Sequence, residues 1–138
     1  MFRRAQAVPA DVLHVYRQIV DLHRKHGDAY GIPLDIDSVL NTIMRVIRDG
    51  ICLVGPTSCA GMLILPFPFN ADARIAQVLF WNFKHAREMR ILREILSTAK
   101  ELGATHRCVA SHFPNNNAGR LYRSLGLREA EIQFIGVV

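Results

Sequence analysis

Apolar residues along the chain follow two periods, and the switches between them mark the elements. Val12, Val15, Ile19 and Leu22 recur three and four residues apart, the stripe of an amphipathic helix running from Val12 to His26, with Pro9 and Asp11 near its start. After Gly31-Ile32-Pro33, Asp37 or Ser38 can cap a second helix carrying Val39, Leu40, Ile43, Met44 and Ile47, and Gly50 ends it. The period then changes. Ile51–Val54 and Gly61–Leu65 are short apolar, β-branched runs separated by Gly-Pro-Thr-Ser-Cys-Ala, so Ile51 to Leu65 reads as a hairpin, closed by Pro66 and Pro68. Ala73 to Phe83, rich in β-branched and aromatic residues, is the longest strand candidate and is expected centrally in the sheet.

Ile91, Leu92, Ile95, Leu96 and Ala99 share one face of a helix predicted over Glu88 to Leu102, with Gly103 as its stop. His106–Phe113 predicts a strand, Asn116–Leu125 a short helix and Glu131–Val138 a final strand. The order is a short β, then α, α, β, β, β, α, β, α, β, a mixed α/β arrangement without internal repeat or linker.

Composition narrows the classes. With 138 residues, half of them apolar, the chain has material for one core, so residues 1–138 are expected to form a single domain. The longest apolar run, Gly61 to Phe69, is broken by prolines and falls well short of the roughly 20 residues of a membrane-spanning helix. Arg3 and Arg4 are not followed by the apolar stretch of a secretory signal, so synthesis in the cytoplasm is expected. Cys52, Cys59 and Cys108 have no C-x-x-C spacing, and His23 and His26 have no further ligand at metal spacing, so neither a disulfide framework nor a metal is expected. The net charge of +5 permits nucleic acid, a phosphate-bearing cofactor or an acidic protein as partner, but the basic residues are scattered, and a nucleic-acid module ranks last.

The spacing Asn115-x-x-Ala118-x-x-Leu121-Tyr122-x-x-Leu125-Gly126-Leu127, in this element order, resembles the C-terminal signature of the GCN5-related N-acetyltransferase (GNAT) superfamily. Phe2–Asp11 looks like that family's opening strand and helix start, and Arg93–Ala104 is similar to its coenzyme-side helix, so the resemblance spans nearly the whole chain. Its compact form most resembles the small GNAT-like proteins of tailed bacteriophages. The resemblance implies a V-shaped mixed sheet flanked by helices, Asn115 as a coenzyme contact or helix cap, and Tyr122 as the acid that reprotonates the leaving thiolate. The residues alone give Tyr122 an equally good place as a packed ring with its hydroxyl at the core's edge, and Asn115 one as an N-cap.

In the family, a Q/R-x-x-G-x-G/A loop before the coenzyme-side helix lets backbone N–H groups reach a diphosphate. The corresponding stretch here is Phe83-Lys84-His85-Ala86-Arg87-Glu88, in which Ala86 and Glu88 replace the glycines. This places a carboxylate where the diphosphate would sit, although an acidic residue in a first helical turn also offsets the helix dipole. Lys84, Arg87 and Arg90 could instead hold phosphate through their side chains. Ala73 to Lys84 contains no Asp or Glu to serve as general base, and Ser111 and His112 are weak substitutes.

The expected function is thus that of a GNAT-fold protein with a degenerate acetyl-CoA site (His85, Ala86, Arg87, Glu88, Met89, Arg90 and Asn115). It would be non-catalytic, with no cofactor, working through contacts with other proteins as a component of a phage particle, with Pro66–Phe69 as a contact surface. The alternative is an acetyl-CoA-dependent N-acetyltransferase acting on a primary amine, with Tyr122 as acid and the amides between His85 and Arg90 on the diphosphate.

Overall fold

The computed structural model describes residues 1–26, 31–109, 112–113, 116–130, 134 and 136–138. The helical period of the first third becomes α1 (Pro9–His26) and α2 (Ile36–Asp49), preceded by a two-residue strand, β1 (Arg3–Arg4). Asp11 sits in the first turn of α1 and takes two hydrogen bonds from the Arg3 guanidinium, at 2.9 and 2.7 Å, and one from the Gln6 N–H at 2.8 Å. This ties β1 to the helix start. The second helix is capped by Asp35, not by Asp37 or Ser38: the Asp35 carboxylate accepts from the Ser38 N–H at 2.9 Å and from its hydroxyl at 2.6 Å. Gly50 ends α2 as expected, its N–H donating to Val46 O. A Cβ at Gly50 would lie 2.0 Å from the Met62 carbonyl oxygen, so glycine is what lets the helix end meet the sheet.

Strands β2 (Ile51–Gly55), β3 (Ser58–Phe67), β4 (Asn70–Phe83) and β5 (His106–Val109) complete a sheet of order β1-β2-β3-β4-β5, antiparallel except for the β4–β5 pair. Strand β4 is interior, between β3 and β5, although β3 is the middle strand of the five and not β4 as its composition predicts. The prolines do not close β3 where expected. Pro66 lies within it, opposite Arg74, and it is tolerated because β2 pairs only as far as Met62 and leaves that stretch of β3 an edge.

Alternation along the strands builds a core on each face. Ile51 and Leu53 of β2, Ala60 and Met62 of β3, and Ala76 and Val78 of β4 face one cluster, together with Ile91, Leu92, Ile95 and Leu96. Cys52 and Val54, Cys59 and Leu63, and Phe80 face the other, against Val15 of α1 and Ile43 and Val46 of α2. The parity of β4 changes between Val78 and Phe80 because the register shifts there: Met62 pairs with Val78 and Gly61 with Phe80, leaving Leu79 as a bulge. Beyond the bulge Phe80 and Asn82 turn toward α1, and Trp81 toward the opposite layer. Before the bulge, β4 pairs in parallel with β5 from Ile75–His106 to Val78–Val109.

The helix predicted over Glu88–Leu102 is interrupted. It consists of a 3-10 turn (Ala86–Glu88), α3 (Ile91–Ser97) and a second 3-10 turn (Ala99–Leu102). The hydroxyls of Ser97 and Thr98 donate to Glu94 O and Ile95 O, each at 2.6 Å, drawing carbonyls away from the α-helical ladder. Gly103, at φ +77°, ends the segment in the left-handed region as expected. Of the strand predicted over His106–Phe113, β5 covers His106–Val109, and residues 110–111 lie outside the described residues. His112–Phe113 pairs instead with Asn116–Asn117, so the last helix, α4, covers only Gly119–Ser124. Half of the expected strand Glu131–Val138 lies outside the described residues, as do Ser111 and Asn115, and its described residues, 134 and 136–138, are not assigned to a strand. Among the described residues no helix is long and apolar enough to cross a membrane.

The hydrogen bonds from Arg3, and secondarily from Gln6, lower the Asp11 pKa to about 2. A depressed carboxylate adds stability above its ordinary range and loses it as pH falls through the folded-state value. Asp11→Asn should therefore cost about 1–2 kcal/mol at neutral pH in urea unfolding, and the gap to the unmodified protein should close as pH approaches 2.

Candidate functional site

The loop between β4 and α3 is assembled around a buried carboxylate. Glu88 is fully buried, and its oxygens accept from the Thr57 N–H at 2.9 Å, from the Thr57 hydroxyl and from the Ser58 hydroxyl at 2.8 Å. The Lys84 N–H donates to Thr57 O at 3.1 Å, a second tie between this loop and the β2–β3 turn. Gly55 makes the room, since a Cβ there would stand 2.7 Å from Glu88 Oε1 and 2.4 Å from Ser58 Oγ. Burial pushes the Glu88 pKa up, but the three hydrogen bonds outweigh it and hold the value below the ordinary glutamate range. The sequence places this carboxylate at a diphosphate position; the structure corrects that, because the side chain is turned into the β2–β3 turn.

Within the loop, the Glu88 N–H donates to His85 O at 2.8 Å and the Met89 N–H to Ala86 O at 3.1 Å. Of the loop candidates, Ala86, Arg87, Met89 and Arg90 line a cavity of about 250 Å³. Leu92 and Arg93 of α3 and Leu121 and Leu125 of α4 complete its wall, and neither Glu88 nor His85 is part of it. Arg90 also stacks over the Phe2 ring, 5.5 Å from its centroid.

Tyr122 is held from both ends of its helix. Its N–H donates to Ala118 O, while Gly126, at φ +83°, returns the chain so that the Leu127 N–H reaches Tyr122 O at 3.1 Å and the Gly126 N–H reaches Arg123 O at 3.0 Å. The ring is 7% exposed, and its hydroxyl accepts a hydrogen bond from Trp81 Nε1–H at 3.2 Å. Burial raises the phenol's pKa against this bond, so the group is neutral at physiological pH and retains a proton to give. Tyr122 does not line the cavity, although Leu121 beside it does.

Sequence reasoning missed Trp81 as the partner of Tyr122 and Arg93 as a third cavity arginine. Arg93 could have been found, because Arg87, Arg90 and Arg93 recur at three-residue spacing. A carboxylate near the end of β4 was missed as well, since α1 supplies it. Asp21 accepts from Asn82 Nδ2 at 3.1 Å and pairs with Lys25 at 3.1 Å. The bond from Asn82 leads the causes that lower its pKa, so Asp21 is a tethered ion with little basicity. Among the described residues no group of three metal-ligating side chains occurs.

No protein-family model matches the chain, and no curated protein matches it by sequence. Solved structures match along its length. A tetramutant of the BH1408 protein from Bacillus halodurans superposes with a TM-score of 0.73 at 16% identity, covering 100% of this chain and 99% of that one. A Trypanosoma brucei acetyltransferase gives 0.68 at 14%, over 100% and 99%. Glucosamine-6-phosphate N-acetyltransferase from Arabidopsis thaliana gives 0.66 at 10%, over 99% and 97%. The fold is that of the GNAT acetyltransferases, and identities this low speak to fold alone.

Removing the Glu88 side chain leaves buried donors unpaired. Glu88→Ala should lower stability by about 3 kcal/mol in urea unfolding, and Glu88→Gln, which keeps an acceptor oxygen, by less. Because the Glu88 pKa is depressed, its stabilisation is present above the ordinary glutamate range and lost as pH falls below it. The unmodified protein should therefore converge on Glu88→Gln in acid; a constant gap down to full protonation would show that the charge contributes nothing.

Proposed function

We propose that the chain uses the GNAT fold as a scaffold for protein contacts and has given up acetyl-CoA chemistry, serving as a structural or accessory component of a larger particle. The resemblance to phage proteins is what suggests a virion as that particle. The observation that carries this reading is the burial of Glu88. At a position where the family has glycine, this chain has a carboxylate that organises the loop from inside, and the Glu88 and Met89 amides bond within the loop. Two further facts agree with it. The cavity of about 250 Å³ is smaller than the roughly 300–1,000 Å³ of common ligand pockets, and β4 from Ala73 onward carries no carboxylate.

One observation favours the alternative, an acetyl-CoA-dependent N-acetyltransferase acting on a primary amine. The cavity presents Arg87, Arg90 and Arg93 without the Glu88 carboxylate, so its charge suits a diphosphate, and neutral Tyr122 could protonate a thiolate. Calorimetric titration with acetyl-CoA separates the two. The scaffold reading expects no saturable heat; micromolar binding would overturn it and favour the enzyme. In that case Tyr122→Phe should lower turnover by about a hundredfold with coenzyme affinity nearly unchanged.

A further inference from the structure

The β3–β4 hairpin ends in an aromatic projection that none of the described residues covers. Phe69 is 88% exposed and Phe67 39%, and their rings meet edge to face at 5.7 Å. Pro66 and Pro68 flank Phe67, Phe67 pairs with Asn70, and Asn70 Oδ1 accepts from the Asp72 N–H at 3.0 Å, so the tip is held in one shape. The α3–α4 cavity is the concave counterpart. Met89, Leu92, Leu121 and Leu125 give it an apolar wall, and arginines stand around it.

We propose that these two surfaces bind each other between copies of this chain, the tip of one copy seating Phe69 in the α3–α4 cavity of the next. This deepens the scaffold reading and rests on it, since it takes that cavity as free of coenzyme. Size agrees: about 150 Å³ of apolar cavity accepts a benzene ring, and this cavity offers about 250 Å³. The chemistry agrees as well. Guanidinium groups attract aromatic faces, Arg90 already lies over the ring of Phe2, and the tip carries Asp72 opposite a cluster of arginines. Insertion within one copy is barred, because the tip lies at the start of β4 and the cavity beyond its end, about 40 Å of extended strand away. The contact is therefore heterologous, head to tail. Two phenyl rings bury about 300–500 Å², well below the roughly 1,200 Å² of a stable interface, and the net charge of +5 on each copy opposes association, so the contact is weak and concentration-dependent.

The test is sedimentation of the full chain over about a hundredfold range of concentration, at physiological salt. Mass should rise with concentration, and Phe69→Ser and Met89→Glu, both at exposed positions, should each weaken association about tenfold or more with circular dichroism unchanged. Mixing the two variants should restore a one-to-one complex, because one keeps the cavity and the other the tip. A monomer at every concentration, self-association of Phe69→Ser equal to the unmodified protein, or variants that do not complement each other would overturn the proposal. The coenzyme question is decided separately by the acetyl-CoA titration, so failure here leaves that reading standing.

Discussion

A carboxylate can be taken out of water only if its lone pairs are met elsewhere, and the loop between β4 and α3 is arranged to satisfy that requirement for Glu88. Thr57 contributes its N–H and hydroxyl, Ser58 its hydroxyl, and Gly55 the space. These donors belong to the β2–β3 turn, some thirty residues earlier, so the charge fixes one turn of the sheet against the start of the helical layer. The position of α3, and with it the wall of the cavity, follows from this tie.

The bulge at Leu79 does comparable work for the other half of the site. A strand without it would keep even-numbered residues on the face of Ala76 and Val78 and would send Trp81 toward α1. One extra residue reverses this. Asn82 reaches Gln18 and Asp21, and Trp81 reaches the Tyr122 hydroxyl. The geometry around Tyr122 is thus a product of register. It would be present in a scaffold and in an enzyme alike, because the aromatic pair also closes the core between the sheet and α4.

The element order and the interior place of β4 were legible because they rest on period and composition, which are local. Gly50 and Gly103 were readable as stops for the same reason. What was not legible depends on partners distant in sequence. The interruption after Ser97 comes from hydroxyls competing for carbonyls, the survival of Pro66 in β3 from the shortness of β2, and the parity change at Leu79 from a register that no single strand encodes. Glu88 is the sharpest case. Its residue type and place in the loop were read, but the direction of its side chain depends on Thr57 and Ser58, which sequence spacing does not connect to it.

That direction changes what a carboxylate at this position means. A carboxylate pointing into an anion site would repel the anion and leave its own charge unpaired, a costly arrangement that folding would resist. A carboxylate pointing into the β2–β3 turn supplies the loop with an anion of its own, covalently attached and always present. A loop ordered by a bound ligand gains stability only in proportion to the logarithm of ligand concentration over its dissociation constant; a loop ordered by Glu88 has no such dependence. On the scaffold reading, this is the property that matters: the surfaces carried by α3 and α4 keep their shape whatever the supply of coenzyme, which suits a protein whose function is to be contacted.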